Sequence, residues 1–429
     1  MIMSDAGNQE FYGVTSNGAL PSAFVTSTAN GEFNQQGVAN AGDATLVISN
    51  AGTATIGAIA DGTGAGFGNA DAFIGQAIFQ SASATATTGV ANASISNAGV
   101  LNILASGVQG GTGGSPDAVI ETAIQQFAFG GVGANVALNN SGTLAISAVA
   151  SAVETTTGAF GAVLNGASGV RINWGIYQSA IASNGDASVL LDNSGDITIS
   201  VLANGVDDDS VIAEASLAQT GIVQYADATG GDAAVALANN GDISIGVDAI
   251  ADAGDAATAD VFMRWGIAQS ANASSGDASA SLTNGADNTL TIGVGAVADG
   301  SVADADASID YAIRQRAAVS GGATGDASVS LANDGTLTIA ALADADATTA
   351  GANAFASIDY ALWQFASNAA GGDATVDFGN AGTIDLSIVA NADGETAANA
   401  SAILGQFLSA SANASGGGDA AANLANSGD

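Results

Sequence analysis

The feature that most constrains this chain is a repeat of about 46 residues. A segment of the form G-D-A-x-x-x-L-x-N-x-G-x-[IL]-x-[IL] recurs from Gly42 onwards, and its last copy begins at Gly418. Self-similarity at a fixed period predicts stacked units rather than domains with independent cores. We therefore divide the chain into a divergent N-terminal segment or cap (1–41), eight tandem β repeats (42–417) and the start of a truncated ninth repeat (418–429).

Each repeat contains three strand-like parts. Residues 327–331 alternate small or apolar side chains with polar ones, and residues 336–342 do the same after an N-x-G turn. A third segment carries the pattern [IL]-x-Q or V-x-Q. Period-two alternation rich in Thr, Val and Ile is typical of half-buried strands, and the helical period is absent. The sequence therefore predicts an all-β protein.

We expect the repeats to form a β-solenoid, a stack that resembles a parallel β-helix. Each repeat would make one wide three-strand rung or two narrower ones, at about 4.8 Å per rung. The alternative is a β-propeller, since the N-x-G turn also suits an antiparallel hairpin and propeller repeats run to about 40–50 residues. Varying repeat lengths and an end in mid-repeat favour an open stack over a closed ring.

The N-x-G turns have a local physical reason. Asn tolerates left-handed backbone and can bond its own main chain, and Gly adopts positive φ freely. We therefore assign the recurring Asn residues to turns, and the copy at Asn284 carries a small insertion. The turn positions are Asn50, Asn97, Asn140, Asn193, Asn239, Asn333 and Asn380.

The third strand-like part of each repeat carries one Gln. If the repeats stack in register, these side chains form a ladder in which each amide hydrogen-bonds to the next, which satisfies groups that are costly to bury unpaired. The ladder positions are Gln80, Gln126, Gln178, Gln224, Gln269, Gln315, Gln364 and Gln406. Strict alternation also places Trp174, Trp265, Tyr311 and Tyr360, four residues earlier, on the same inner face.

Charge and composition exclude several functions. Asp and Glu number 41 against 4 Lys and Arg, which gives a net charge of −37. Such a chain cannot neutralise a row of phosphates, so we expect no nucleic-acid partner. Cys and His are absent, which excludes disulfides, Cys or His zinc sites and an imidazole base.

Acidic clusters are the remaining candidates for chemistry. Calcium binds six to eight oxygens, so closely spaced carboxylates are weak candidates for calcium ligands. These candidates are Asp207, Asp208, Asp209, Asp304, Asp306 and Asp310. The known calcium-loop motifs are absent, and solvated or turn-forming Asp is the simpler interpretation. Every acidic candidate belongs to a repeated series, whereas catalysis needs one special constellation. We therefore expect neither an enzyme nor a small-molecule substrate.

The repeats resemble those of autotransporter passengers and related bacterial surface adhesins. The resemblance rests on L-x-N-x-G-T-[IL]-x-I, as in residues 331–339 (LANDGTLTI) and 138–146 (LNNSGTLAI), and it covers nearly the whole chain from Gly42. It implies display on the bacterial cell surface or secretion, with a role in adhesion or biofilm architecture. Residues 1–10 lack the basic start and apolar run of a secretory signal.

The leading prediction is thus a non-catalytic structural or adhesive segment of an extracellular or surface-displayed bacterial repeat protein. One alternative is a subunit of a self-assembling extracellular fibre, and another is a calcium-stabilised exoprotein. Partners would be a host or surface ligand, or further copies of the chain bound through stacked repeats or exposed aromatics. Tyr177, Trp363 and Phe365 are the outward aromatics of the third strand-like parts.

Overall fold

The computed structural model describes residues 2–5, 8–16, 25–29, 33–39, 42–62, 70–85, 87–110, 116–153, 162–164, 169–321, 325–369, 371–415 and 417–429. These residues form β-strands joined by turns and contain no helix. The strands of the first half are β1 (Ile2–Asp5), β2 (Asn8–Ser16), β3 (Val25–Ala29), β4 (Phe33–Ala39), β5 (Ala44–Asn50), β6 (Thr53–Gly62), β7 (Ala70–Ala84), β8 (Val90–Asn97), β9 (Val100–Gly110), β10 (Asp117–Gly130), β11 (Gly133–Asn140), β12 (Thr143–Val153), β13 (Ala162–Leu164), β14 (Val170–Ala182), β15 (Asp186–Asn193) and β16 (Asp196–Asp207).

The second half of the chain repeats three strand lengths with little variation. Its strands are β17 (Ser210–Ala228), β18 (Ala233–Asn239), β19 (Asp242–Ala253), β20 (Ala256–Ala273), β21 (Ala278–Asn284), β22 (Thr289–Gly300), β23 (Val302–Val319), β24 (Ala327–Asn333), β25 (Thr336–Ala347), β26 (Gly351–Asn368), β27 (Ala374–Asn380), β28 (Thr383–Gly394), β29 (Ala397–Ala414) and β30 (Ala420–Asn426).

The described strands form three sheets, and every strand pairs in parallel with its equivalent in the next repeat. Sheet 1 has the order β1-β5-β8-β11-β15-β18-β21-β24-β27-β30, and sheet 2 has the order β2-β6-β9-β12-β16-β19-β22-β25-β28. Sheet 3 runs β3-β7-β10-β14-β17-β20-β23-β26-β29, with β4 also on β7 and β13 on β17. Each repeat therefore supplies one strand to each sheet and makes one wide rung.

This arrangement confirms the parallel β-solenoid. A β-propeller blade would pair the strands of one repeat with each other, whereas here the pairing runs between repeats, so the propeller alternative is wrong. The strands within residues 1–41 pair with the next rung in the same order, Asp5 opposite Asn50 and Gln35 opposite Gln80. The described part of this divergent segment thus continues the stack.

The core consists of columns of identical or similar side chains that run along the axis. On sheet 2, Ile199, Ile245 and Ile292 are level with one another and almost fully buried. On sheet 3, Ile222, Ile267 and Ile313 form a matching column that packs into the same cluster. Parallel strands in register place equal side chains about 4.8 Å apart, so the isoleucines of these two columns stack on one another along the axis.

The glycines of the N-x-G turns are required by a close approach between rungs. A Cβ on Gly195 would lie 2.0 Å from the carbonyl oxygen of Gly142 in the preceding rung, well inside van der Waals contact. Among the described residues, positive φ occurs at Gly42, Gly371, Gly417 and Asp287. None of these is the glycine of an N-x-G turn, so the expectation that these glycines supply positive φ is wrong.

The long strands of sheet 3 contain a local break in their alternation. In β23, Ile309 is buried, the neighbours Asp310 and Tyr311 are both partly exposed, and Ala312 and Ile313 are both buried. In each of these strands the first buried residue after the two partly exposed ones is small. These residues are Ala77, Ala123, Gly175, Gly221, Gly266, Ala312 and Ala361. A Cβ on Gly266 would already lie 2.9 Å from Ile292, so a larger side chain has no room there.

This break reverses the predicted orientation of one aromatic column. Trp174, Trp265, Tyr311 and Tyr360 lie on the outer face of sheet 3 and are partly exposed, not in the core. The prediction assumed unbroken period-two alternation and is wrong for that reason. The rings of Tyr311 and Tyr360 stack outside the sheet, with centroids 4.7 Å apart and planes 3° from parallel.

Candidate functional site

Two amide ladders run through the interior, and the first consists of Asn side chains at the ends of the sheet 1 strands. Each Nδ2 donates to the Oδ1 of the Asn in the following rung at 2.7–2.9 Å, and also to a backbone carbonyl there. In the described chain its members are Asn50, Asn97, Asn140, Asn193, Asn239, Asn284, Asn333, Asn380 and Asn426. The structure thus places the predicted turn residues in a mostly buried column that joins the rungs.

The second ladder consists of the Gln side chains of sheet 3. Gln315 donates from Nε2 to Oε1 of Gln269 at 2.7 Å and to the backbone carbonyl of Ser330 in sheet 1 at 2.9 Å. The same pair of bonds recurs from Gln80 to Gln315 and ties sheet 3 to sheet 1. The Gln column lies between the main core and a second core that consists mostly of Ala and Val side chains.

The Gln ladder differs from its prediction at both ends. Gln35 in β4 accepts a bond from Gln80 at 3.0 Å, so a residue of the divergent segment belongs to the column. Gln406 does not belong to it: this residue is exposed and level with Tyr360, and Ala410 is level with Gln364. The local motif matched at Gln406, but the apolar residues of β29, such as Leu408 level with Leu362, set a different register.

The Asp residues that open most repeats form a third line of hydrogen bonds, which the sequence did not reveal. Asp326 accepts a bond from the backbone N–H of Asp373 at 2.8 Å, and Asp373 accepts one from that of Asp419 at 2.8 Å. The same contact joins Asp186 to Asp232, Asp232 to Asp277, and Asp277 to Asp326. These carboxylates therefore act as caps of backbone donors at the start of the sheet 1 strands.

The structure separates the six candidate metal ligands. Asp207 is buried at the end of β16 and accepts the backbone N–H of Asp209, while Asp208 is exposed. Asp304, Asp306 and Asp310 lie along the outer face of β23. The described residues contain no group of three or more acidic side chains arranged to hold a metal ion. Calcium binding stays a prediction without a built site in that part of the chain.

The outer face of sheet 3 concentrates the positive charge of the protein. All four cations of the sequence, Arg171, Arg264, Arg314 and Arg316, lie on its strands β14, β20 and β23. Arg171 is 3.0 Å from Glu121. Within the described residues the other three form no salt bridge; Arg264 contacts the amide oxygen of Gln219 at 2.6 Å and Arg316 that of Asn272 at 2.7 Å.

Aromatic rings flank two of these arginines, Arg264 and Arg314. The guanidinium of Arg314 lies between two indoles, 5.2 Å from the ring centre of Trp265 and 4.9 Å from that of Trp363, and Arg264 lies 4.7 Å from Trp265. Trp363 in turn stacks on Phe365. Burial, together with the neighbouring Arg316, lowers the pKa of Arg314, and Tyr311 opposes that change. A cavity of about 330 Å³ opens beside this group, lined by Tyr225, Trp265, Arg314 and Arg316. We call this surface the arginine–aromatic patch.

A row of carboxylates lies on the same face, nearer the start of each strand. Glu214, Asp260 and Asp306 are level with one another in β17, β20 and β23. They line a groove of about 360 Å³ that also contains Phe262. Burial, with the charges of Asp306, Glu214 and Asp304, raises the pKa of Asp260 to about 6. We call this surface the carboxylate row.

Sequence reasoning did not predict that these two surfaces share one face of sheet 3. It identified the acidic residues and the outward aromatics separately, but the position of Trp265 and Tyr311 beside the arginines depends on the break in sheet 3. One feature of the sequence could have indicated the break. Each of these aromatics is followed by a small residue, which suggests that the small residue points inward where a larger side chain has no room. These residues are Gly175, Gly266, Ala312 and Ala361.

Comparisons with known proteins identify no relative. No family model matches the chain, and neither the curated proteins nor the solved structures contain a significant match. Among the described residues there is no helix of the length and apolarity needed to cross a membrane. The resemblance to autotransporter passengers and surface adhesins therefore stays a prediction that rests on the repeat motif.

Proposed function

We propose that this chain is a non-catalytic structural or adhesive rod of a bacterial repeat protein that is secreted or displayed at the cell surface. The observation that carries the proposal is the Asn ladder, which joins consecutive rungs from Asn50 to Asn426. With about 4.8 Å between rungs, the stack is on the order of 40 Å long, and its main hydrophobic core runs continuously along the axis.

Three features support a role outside the cell. The sequence contains no Cys, so incorrect disulfides cannot form in an oxidising environment. The net charge of −37 keeps a repetitive β-protein soluble and discourages uncontrolled pairing of strands. The repeat motif resembles those of surface adhesins.

Protease shaving of intact cells tests the location. In the bacterium that encodes the chain, an epitope-tagged copy should disappear from whole cells treated with proteinase K, while a cytoplasmic marker protein stays intact. Protection of the tag in intact cells, with loss only after lysis, would contradict the proposal. The same cells, compared with a deletion strain, then show whether surface attachment depends on the protein.

A further inference from the structure

We propose that the arginine–aromatic patch binds a hexuronic acid, a six-membered sugar ring that carries one carboxylate, and that Arg314 holds the carboxylate. The protein contains 41 acidic side chains, yet the half-buried guanidinium of Arg314 forms no salt bridge with any of them within the described residues. Sugar binding is one form of the adhesive role proposed above and rests on that proposal. Its test uses the purified chain, so it does not depend on where the protein resides.

None of the immediate neighbours of Arg314 in the sheet is acidic. On its own strand, β23, the nearest residues of the outer face are Tyr311 and Arg316. Across the sheet, Arg314 is level with Ala268 in β20 and with Trp363 in β26. Cation–π contacts with the indoles offset part of the cost of burying this charge. A bound carboxylate would add the planar, bidentate partner that suits a guanidinium.

The cavity beside Arg314 is a trough that lies over β20. Its floor consists of small residues, because Ala268 is level with Arg314, and Ser270 lies between Tyr225 in β17 and Arg316 in β23. Its volume of about 330 Å³ is at the lower end of the range of about 300–1,000 Å³ that is typical of small-molecule pockets. The trough therefore suits one sugar ring better than a long segment of polymer.

The lining of the trough matches the chemistry of a sugar ring. Tyr225 and Trp265 supply aromatic surface, and the negative face of an aromatic ring attracts the C–H groups of a pyranose. The Ser270 hydroxyl and the guanidinium of Arg316 can hydrogen-bond to sugar hydroxyls. Arg316 donates to the Oδ1 of Asn272 at 2.7 Å, which leaves its other N–H donors for a ligand. A simple carboxylate such as acetate would contact a guanidinium and leave the rings uncovered.

One nearby carboxylate sets the orientation of the sugar. Asp227 lies two residues beyond Tyr225 in β17, at the end of the trough away from Trp265, and accepts a hydrogen bond from the Tyr225 hydroxyl at 2.8 Å. Its negative charge repels the carboxylate of the ligand from that end. The ligand carboxylate is therefore directed to Arg314.

The charge of the whole protein favours a single acidic sugar over a polyanion. With a net charge of −37, the rod repels a long polyuronate or a nucleic acid along its whole length. At about 0.15 M salt the Debye length is about 8 Å, so the distant carboxylates are screened while an ion pair in direct contact is not. The ligand that fits best is one uronic acid unit of an otherwise neutral glycan.

A matched pair of sugars tests the proposal on the purified full chain. Methyl glucuronide and methyl glucoside differ only in that a carboxylate replaces a CH₂OH group. Two of the three Trp residues, Trp265 and Trp363, flank Arg314, so binding should change the intrinsic fluorescence. The glucuronide should bind with a Kd of about 1 mM or below, and the glucoside at least about tenfold more weakly.

Two variants separate the charge from the shape of the trough. Arg314→Gln removes the charge and should weaken binding of the glucuronide at least about tenfold. Ser270→Leu keeps every arginine but fills the floor, and it should weaken binding to a similar extent. Arg171→Gln is the matched control, because Arg171 lies on the same face of sheet 3 but pairs with Glu121 and does not line this cavity. It should bind as wild type does, and circular dichroism should show that all variants fold.

Four outcomes would overturn the proposal. They are no fluorescence change with the glucuronide, equal affinity for the two methyl sugars, an equal loss of affinity in Arg171→Gln, and binding of sodium acetate as tight as that of the glucuronide. The last would mean that the site holds a carboxylate without recognising a ring. None of these results bears on protease shaving of intact cells, so the proposed location and the rod would stand.

Discussion

Gln364 and Ala410 are level in adjacent rungs, and the Gln ladder ends between them. The Nε2 of Gln364 donates to Gln315 at 2.9 Å, while its Oε1 is buried without a hydrogen-bond donor. In every rung from Gln80 to Gln315 the Oε1 of the Gln accepts a hydrogen bond from the Nε2 of the next Gln. Because position 410 is Ala and not Gln, the Oε1 of Gln364 has no hydrogen-bond donor.

Replacing Ala410 by Gln should extend the ladder and stabilise the protein. The new amide donates to Oε1 of Gln364, and a recovered buried hydrogen bond contributes about 1 kcal/mol. The urea midpoint of unfolding measures the effect. Ala412→Gln is the control, because position 412 packs against the same second core but is level with Ala366 and not with a Gln. An equal effect of both variants would show that the ladder is not the cause.

Replacing Gln224 by Leu should destabilise the middle of the stack by about 2–4 kcal/mol. Leu has a similar size, but Oε1 of Gln178 loses its donor and Nε2 of Gln269 loses one of its two acceptors, at about 1–3 kcal/mol for each unsatisfied group. Chemical denaturation gives the free energy of unfolding. Asn353→Leu, which removes an exposed amide pair with Asn399, should change stability by less than about 0.5 kcal/mol. Equal losses in the two variants would contradict a special role of the buried column.

Replacing Gly195 by Ala should destabilise the protein by at least about 1–3 kcal/mol, because the added Cβ overlaps the carbonyl oxygen of Gly142 and forces two rungs apart. The thermal unfolding midpoint detects the loss. Gly246→Ala is the control: its Cβ would meet nothing closer than Asp248, 4.0 Å away. That variant should be neutral or slightly stabilising, since Ala reduces the entropy of the unfolded chain. An unchanged unfolding midpoint in Gly195→Ala would contradict the view that the close approach to Gly142 requires a glycine in these turns.

Acidification from pH 7.5 to pH 4.5 should stabilise the protein. Burial and the neighbouring Asp306, Glu214 and Asp304 raise the pKa of Asp260 from 3.8 in the unfolded chain to about 6. The folded state thus binds more protons than the unfolded state between these values, and stability falls as pH rises through that window. Burial raises the pKa of Asp306 and Glu214 in the same direction.

Asp260→Asn checks the origin of that dependence. The amide cannot ionise, so the variant should melt at a higher temperature than wild type at pH 7.5 and at nearly the same temperature at pH 4. Calorimetry at both pH values measures the difference. A wild-type midpoint that falls steadily from pH 7.5 to pH 4.5 would show that other carboxylates dominate.

The sequence predicted the solenoid because its motif recurs about every 46 residues and the alternation within each strand is clear. Gln269 and Gln315 could be placed in one column from sequence alone, since each follows an apolar residue by two positions. Two errors have one physical origin, the assumption that local pattern decides orientation. Trp265 points outward because the next position, Gly266, lies so close to Ile292 that a larger side chain has no room there, and Gln406 leaves the ladder because Leu408 pairs with Leu362.

The arginine–aromatic patch lay beyond sequence reasoning for a different reason. Arg264 and Arg314 are 50 residues apart in the chain, and only the exact register of β20 and β23 brings both onto the indole of Trp265. That register follows from the pairing of many residues at once. No single motif encodes it.

The Asn ladder has a consequence for how such a chain can change over generations. Asn97 and Asn140 are separated by 43 residues and Asn140 and Asn193 by 53, yet the two hydrogen bonds measure 2.7 and 2.8 Å. The ten additional residues of the longer repeat lie between β12 and β14 and leave the axial spacing unchanged, whereas one residue lost within a strand turns every following side chain of that strand to the opposite face. Insertions between the strands are therefore tolerated and can diversify under selection, whereas the length and register of the strands are conserved by the ladder.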